Sequence, residues 1–297
     1  MKNLRLLSRM SALWAIWPGA VDLAISELLS GGEIASASGW EASKPSSLGK
    51  GSNRVAVIPI EGVLTKDGPA WYGSNYDAIA KAVDTAAADP EVSRIALVVD
   101  SPGGEVTGLP ETAAVIKAAR AVKPVSAMVT GMAASAAYYL ASQATDISVT
   151  PSGEVGSVGV RMMHVDVSAA LANEGVKVTE LYSGDHKTEW SPYAPLSDDA
   201  KADMMPRLQA SHQGFIDAVA DGRGNRVTQE ITAARFGEGR TFDASVALTH
   251  GLIDRVQSQR DFFKLITPAA ETAVAVPQFP IHRALASLRM ARRRVNG

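Results

Sequence analysis

The chain contains no cysteine, which excludes disulfides, thiolate metal ligands and a cysteine nucleophile together. A surplus of one charge is missing too, since 29 Lys and Arg stand against 31 Asp and Glu in 297 residues, a net charge of -2. So balanced a molecule has no overall field to draw it to nucleic acid or to an acidic surface, and any such contact has to be local. The uncharged stretch 10–21 falls short of the roughly 20 residues that span a bilayer. Lys2, Arg5 and Arg9 precede it and Ala35-Ser36-Ala37 follows it, in the manner of an export signal. Pro18, Asp22 and Glu27 break that pattern, and Ala35 lies too far downstream for usual processing. The segment reads instead as an amphipathic helix over Ala12 to Leu29 that docks on the domain or on a partner.

What is present suits an α/β core: 46% of residues are hydrophobic and 20% charged. The composition divides the chain into an N-terminal helical segment (1–34), a Ser/Gly/Ala/Lys-rich linker (35–53), one folded domain (54–256), and an Ala/Pro-rich linker with a basic tail (257–297). Within the domain, apolar runs at Val55 to Ile60, Arg94 to Val99, Val125 to Val129, Asp146 to Val149, Val155 to Val160 and Val176 to Tyr182 predict strands. Helices are expected over Asn75 to Ala88, Gly108 to Ala121, from Ser135 onward, and over Val165 to Asn173. A long one should run from Ser197, a good N-cap, to Asp221, where Gly222-Arg223-Gly224 stops it and Pro206 interrupts it. Strands alternating with helices imply a mainly parallel sheet with right-handed crossovers. Reactive groups then collect at the carboxyl ends of the strands.

Two segments at such ends carry candidate chemistry. Ser135, in Gly131-Met132-Ala133-Ala134-Ser135-Ala136-Ala137-Tyr138-Tyr139, stands where a strand turns into a helix and presents a hydroxyl beside outward-pointing N–H groups. Asp100-Ser101-Pro102-Gly103-Gly104 closes another apolar strand, and its glycine pair leaves backbone N–H groups open to a ligand. One amide from Gly103 or Gly104 and that of Ala136 would bracket an oxyanion. Each segment alone also fits a plain tight turn or close helix packing. The hydroxyl further needs a proton acceptor within reach. Of the histidines, His164 is nearest in sequence, while His212, His250 and His282 suit surface or capping positions. Lys187, in Ser183-Gly184-Asp185-His186-Lys187, is the alternative; it must be sheltered from water to lose its proton, with Asp185 and Glu189 facing away.

Three blocks in order, Asp100 to Gly104, Gly131 to Tyr139 with Gly156-Ser157-Val158-Gly159-Val160, and Ser183 to Lys187 with Ser191-Pro192, resemble the signal peptide peptidase A family of serine proteases. Weaker agreement runs through Gly222-Arg223-Gly224 and Gly239-Arg240-Thr241-Phe242 to Gly251-Leu252-Ile253-Asp254. The resemblance implies the caseinolytic protease/crotonase-like fold, a spiral of βαβ units with a mainly parallel sheet and flanking helices. It implies Ser135 as nucleophile, Lys187 as general base 52 residues later, and Ser157 as the residue that orients the lysine, with no metal or cofactor. Ala136-Ala137 departs from the two glycines usual in bacterial members and narrows the space beside Ser135.

Trp14-Ala15-Ile16 followed by Pro18 is similar to the opening of the phage and prophage head maturation proteases of that family, which lack a membrane span. By that resemblance the chain is a serine endopeptidase of the host cytoplasm, acting within assembling proheads on scaffold or capsid proteins. It would form a homo-oligomeric ring in which one protomer's serine meets its neighbour's lysine. Three rivals stay open: a peptidase of leftover signal peptides, a crotonase-type acyl-CoA enzyme, and a catalytically idle capsid protein. No specific nucleic-acid partner is expected, although the basic segment 281–295 suits docking on scaffold protein or contact with DNA, or is a solvated tail. Trp71, Tyr72 and Tyr76 either line a peptide groove or pack.

Overall fold

Alternating side chains along three adjacent strands divide the core into two faces, as the two-residue period of a strand requires. The computed structural model describes residues 13–20, 44–67 and 73–267. In chain order the main elements are β1 (Trp14–Ile16), β2 (Ser46–Leu48), β3 (Arg54–Leu64), α1 (Tyr76–Ala88), β4 (Val92–Glu105), α2 (Leu109–Val122), β5 (Val125–Ala134), α3 (Ala136–Ser142), β6 (Asp146–Val149), β7 (Glu154–Gly156), α4 (Ser168–Asn173), α5 (Asp198–Arg223), β8 (Thr241–Asp243), α6 (Ala244–Thr249), β9 (Arg255–Val256) and α7 (Gln259–Ile266). Among the described residues no helix is long and apolar enough to cross a membrane.

The sheet runs β2-β3-β4-β5-β6-β9. From β3 to β9 every neighbouring pair is parallel. β2 joins β3 antiparallel. Toward its end β5 leaves β6 and pairs with β7, which in turn takes β8 antiparallel. This is the α/β architecture with a largely parallel sheet that the sequence implied. Ile58, Ile60, Ile95, Leu97, Val99, Ala127 and Val129 face the helices α1, α2 and α3. Val55, Val57, Ala96, Val98 and Met128 face the other way, toward Leu48 of β2 and Phe262, Phe263 and Ile266 of α7.

The helices follow their local signals. Asn75 caps α1 by accepting from the Ala78 N–H at 2.7 Å, and Tyr76, Ile79, Val83 and Ala86 make its buried stripe. Ser197 caps α5 in the same way. The Tyr76 hydroxyl donates to the Glu105 carbonyl at 2.7 Å, so Tyr76 packs in the core and lines no groove. Trp71, Tyr72 and the basic tail lie outside the described residues.

Four expectations need correction. Trp14–Ile16 is a strand, not part of a helix; the open edge at Gly103–Glu105 offers it backbone partners, and sheet addition prevails over helical amphipathicity. Val176 to Tyr182 forms no strand and is exposed throughout, because among the described residues no strand pairs with it. The strand foreseen at Val155 to Val160 stops at Gly156, where positive φ at Gly156 and Ser157 turns the chain. Finally, Ser46–Leu48 and Gln259–Ile266, read as linker, are packed elements that cover the second face.

A buried ion pair fastens α5 to the sheet. The fully buried Arg223 at the end of α5 donates to both Asp254 oxygens at 2.9 and 3.0 Å and to the Gly251 carbonyl at 3.0 Å. Asp254 also accepts from the Ile147 N–H of β6 at 2.8 Å. Burial opposes ionisation of Asp254, but the hydrogen bonds and charge of Arg223 outweigh it and hold the carboxyl below the usual carboxylate range. The pair is worth little against an apolar replacement, yet breaking it strands a buried guanidinium. Asp254→Asn should therefore cost about 3–5 kcal/mol at neutral pH. A depressed folded-state pKa stabilises above the unfolded carboxylate range, and the contribution is lost as pH falls through the folded value. The deficit of Asp254→Asn, measured by urea unfolding at a series of pH values, should thus shrink in acid.

Candidate active site

β5 ends at Ala134 and α3 begins at Ala136, which leaves Ser135 alone to make the turn, at φ 53° and ψ -120°. That region is unfavourable for a residue with a side chain and persists only where the surroundings fix it. Here they do. The Ser135 N–H donates to the Gly156 carbonyl at 2.8 Å, and its own carbonyl accepts from the Tyr139 N–H at 2.9 Å. Every residue of α3 is buried. The Tyr138 hydroxyl reaches across to the Leu252 carbonyl at 2.8 Å, and burial pushes its phenol well above the ordinary range.

β4 runs parallel to β5 and carries Gly103 and Gly104, which are part of the strand rather than a turn, to the same edge, with Ser101 opposite Ala133. A side-chain bond ties the two strands, since Asp100 accepts from the Met132 N–H at 3.1 Å. Ser101 shapes this end of the strand: its hydroxyl donates to the Gly62 carbonyl at 2.6 Å and accepts from the Gly103 N–H at 3.2 Å. Gly103 has φ 103°, open only to glycine at little cost. Gly104 is there for space, because a Cβ on it would lie 1.9 Å from the Leu64 carbonyl oxygen of β3.

Ser157 stands beside Ser135, one residue beyond the Ala134–Gly156 pairing of β5 and β7. It too is buried, at φ 55°, with its N–H donating to the Arg240 carbonyl at 2.7 Å. Ser135, Ser157, Gly103, Gly104 and Ala136 are therefore gathered at the carboxyl ends of three strands. Ser135 is almost sealed, 1% exposed, and its hydroxyl makes a long 3.4 Å contact to the Gly159 carbonyl.

Lys187 is not part of this group within one chain. It is exposed in a turn, its N–H donating to the Gly184 carbonyl at 3.1 Å. Among the described residues no hydrogen bond links Ser135 to a histidine. His164 meets the Ser191 carbonyl at 2.9 Å and the edge of Trp190, and His250 packs on Phe236 and Phe242. His186 pairs with Glu189 at 2.5 Å, which raises the imidazole pKa. The sequence reading missed the parts played by Asp100 and Ser101, although both stand in the block it singled out. It also missed that Arg223 and Asp254, within the weaker blocks, are a structural clamp.

Residues 117–272 match the model of peptidase family S49, and residues 74–154 match that of Clp protease. Capsid assembly protease C of Escherichia phage lambda is 34% identical over 223 residues, covering 74% of this chain and 50% of that protein. The chain belongs to peptidase family S49. Head-tail preconnector protein GP5 of Enterobacteria phage P21 is 31% identical over 249 residues, 82% of this chain and 49% of that protein. Protease 4 of Salmonella typhi is 32% identical over 221 residues, 74% of this chain and 34% of its own length. The chain thus spans about half the length, or less, of these curated relatives. The Clp protease match agrees with the parallel sheet and its flanking helices.

Strain at position 135 is separable from chemistry. Ser135→Gly should unfold at higher denaturant than Ser135→Ala, by about 1 kcal/mol, because glycine adopts the turn conformation freely and alanine does not. Urea titration of the two variants measures this directly.

Proposed function

We propose that this S49 chain is a serine endopeptidase whose nucleophile is Ser135 and whose general base is Lys187 of a neighbouring copy. The observation that carries the reading is the meeting, at one sheet edge, of a serine held in a strained strand-to-helix turn and the glycine pair at the end of β4. The Ser135 proton passes to the neutral Lys187 amine as the hydroxyl oxygen bonds to the scissile carbonyl carbon. The oxyanion is held by the amides of Gly104 and Ala136, the Gly103 N–H being engaged by Ser101. Collapse breaks the C–N bond, Lys187 returns the proton to the leaving amine, and water hydrolyses the ester by the same route. Ser157 positions the amine.

Two features favour a base from outside the chain. Lys187 is exposed, and the segment before it displays Val176, Val178, Leu181 and Tyr182 to solvent, Leu181 at 95%. A single chain has no reason to present such a run, whereas a subunit interface does. We propose that a homo-oligomer, a ring, covers these side chains and brings the lysine to the next subunit's serine. Two relatives are named for capsid assembly and the head-tail preconnector; on that ground the substrates are proposed to be scaffold or capsid proteins, processed in the host cytoplasm within the assembling head.

Mixing tests the shared site. Ser135→Ala and Lys187→Ala chains, each inactive, should regain part of the wild-type peptide hydrolysis when refolded together, and the mixture should react with a fluorophosphonate. Recovery of nothing, with oligomers present, would put both groups in one chain. Failure of the unmutated protein to take up the fluorophosphonate at Ser135 would remove the protease reading altogether.

A further inference from the structure

β1 lies across the site as a strand bonded along both edges. On one side it runs antiparallel to the end of β4, with Trp14, Ala15 and Ile16 opposite Glu105, Gly104 and Gly103. The Trp17 N–H donates to the Pro102 carbonyl at 2.8 Å, and the Leu13 carbonyl accepts from the Val106 N–H at 3.0 Å. Antiparallel ladders alternate bonded and non-bonded pairs, so Ala15 and Gly104 form the bonded pair between those two, and the Gly104 N–H points at the Ala15 carbonyl. On the other side, Trp14 exchanges both backbone bonds with Arg161, at 2.9 and 2.8 Å.

The nucleophile is beside the same carbonyl. A Cβ built on Gly103 would lie 2.3 Å from the Ala15 carbonyl oxygen and 3.0 Å from the Ser135 Cβ. The two atoms are therefore at most about 5.3 Å apart, the sum of those distances. Ala15 is buried, as is Ile16, so the groove encloses both side chains.

We infer that β1 is a tethered substrate mimic: it fills the peptide groove in the posture of a substrate, with the Ala15–Ile16 bond at Ser135, and must leave before another polypeptide enters. The inference rests on the proposed role of Ser135 and adds a substrate class. The groove takes an extended chain by its backbone, from Leu13 to Trp17 in the present occupant, with a small side chain just ahead of the bond that faces the serine. Sequence enters through the enclosed positions, while the two flanking ladders are indifferent to it. A groove free for only a fraction of the time binds an added peptide more weakly by that fraction.

The test needs no catalysis. A fluorescent peptide with the sequence of residues 10–20 is titrated into the full chain carrying Ser135→Ala, and into the same chain carrying Ala15→Asp as well. Aspartate at 15 would bury an unpaired charge and expel the strand. The double variant should bind the peptide at least about tenfold more tightly, because the competing tether is gone. Ile16→Lys provides a second route to release should Ala15→Asp fail to fold, and it should tighten binding in the same direction. Equal affinity in all three chains, or binding to none, would overturn the inference. That result stays separate from failure of the protease reading, which shows as lack of fluorophosphonate labelling in the unmutated chain.

Discussion

The parallel pairing of β4 with β5 is the constraint on which the site depends. Ile95 to Val99 runs in step with Val125 to Val129, and an irregularity between Val99 and Ser101 then sets Ser101 against Ala133. That shift brings the glycine pair at the end of β4 level with a hydroxyl more than thirty residues further along the chain. The Asp100 carboxylate, by holding the Met132 N–H, locks the two ends together. Neither partner of the site reaches its neighbour by local structure. Only the sheet puts them there, and the buried faces on both sides keep the register from slipping.

Where side-chain pattern and burial agree, the sequence was readable. The β4 and β5 cores and helices α1, α2 and α5 were visible as apolar runs, stripes and caps, and their observed limits mostly extend the expected ones by the polar or small residues at each end. Ser135, Gly103 and Gly104 were visible as residue types unusual for their place. What escaped depended on contacts distant in sequence. The strand character of Trp14–Ile16 comes from an edge about ninety residues away, so no local period announces it. α7 was hidden because Phe262, Phe263 and Ile266 cover a face whose exposure cannot be inferred from α7 itself. Val176 to Tyr182 shows the reverse error, since β-branched residues signal a strand that one chain gives no partner.

Read as a whole, the chain has a finished half and an unfinished one. The sheet, α3 and the Arg223–Asp254 clamp are closed on themselves, with most of their apolar side chains covered. The stretch from Val176 to Lys187 and the first turns of α5 are exposed nearly throughout. Charge does not explain the difference, because both halves carry both signs. Packing does: one half has already buried its apolar side chains, and the other still shows them.

Gly104 bears on how variation in such a chain should be read. Its Cα sits so close to the Leu64 carbonyl that even a methyl group would push β3 off the sheet. Selection for folding alone, with no demand for turnover, would therefore keep glycine at 104. Under the proposed role of Ser135, an inactive descendant of this protein would retain that letter long after position 135 had drifted, so the serine, not the glycine, would be the marker by which a living enzyme is told from a relic.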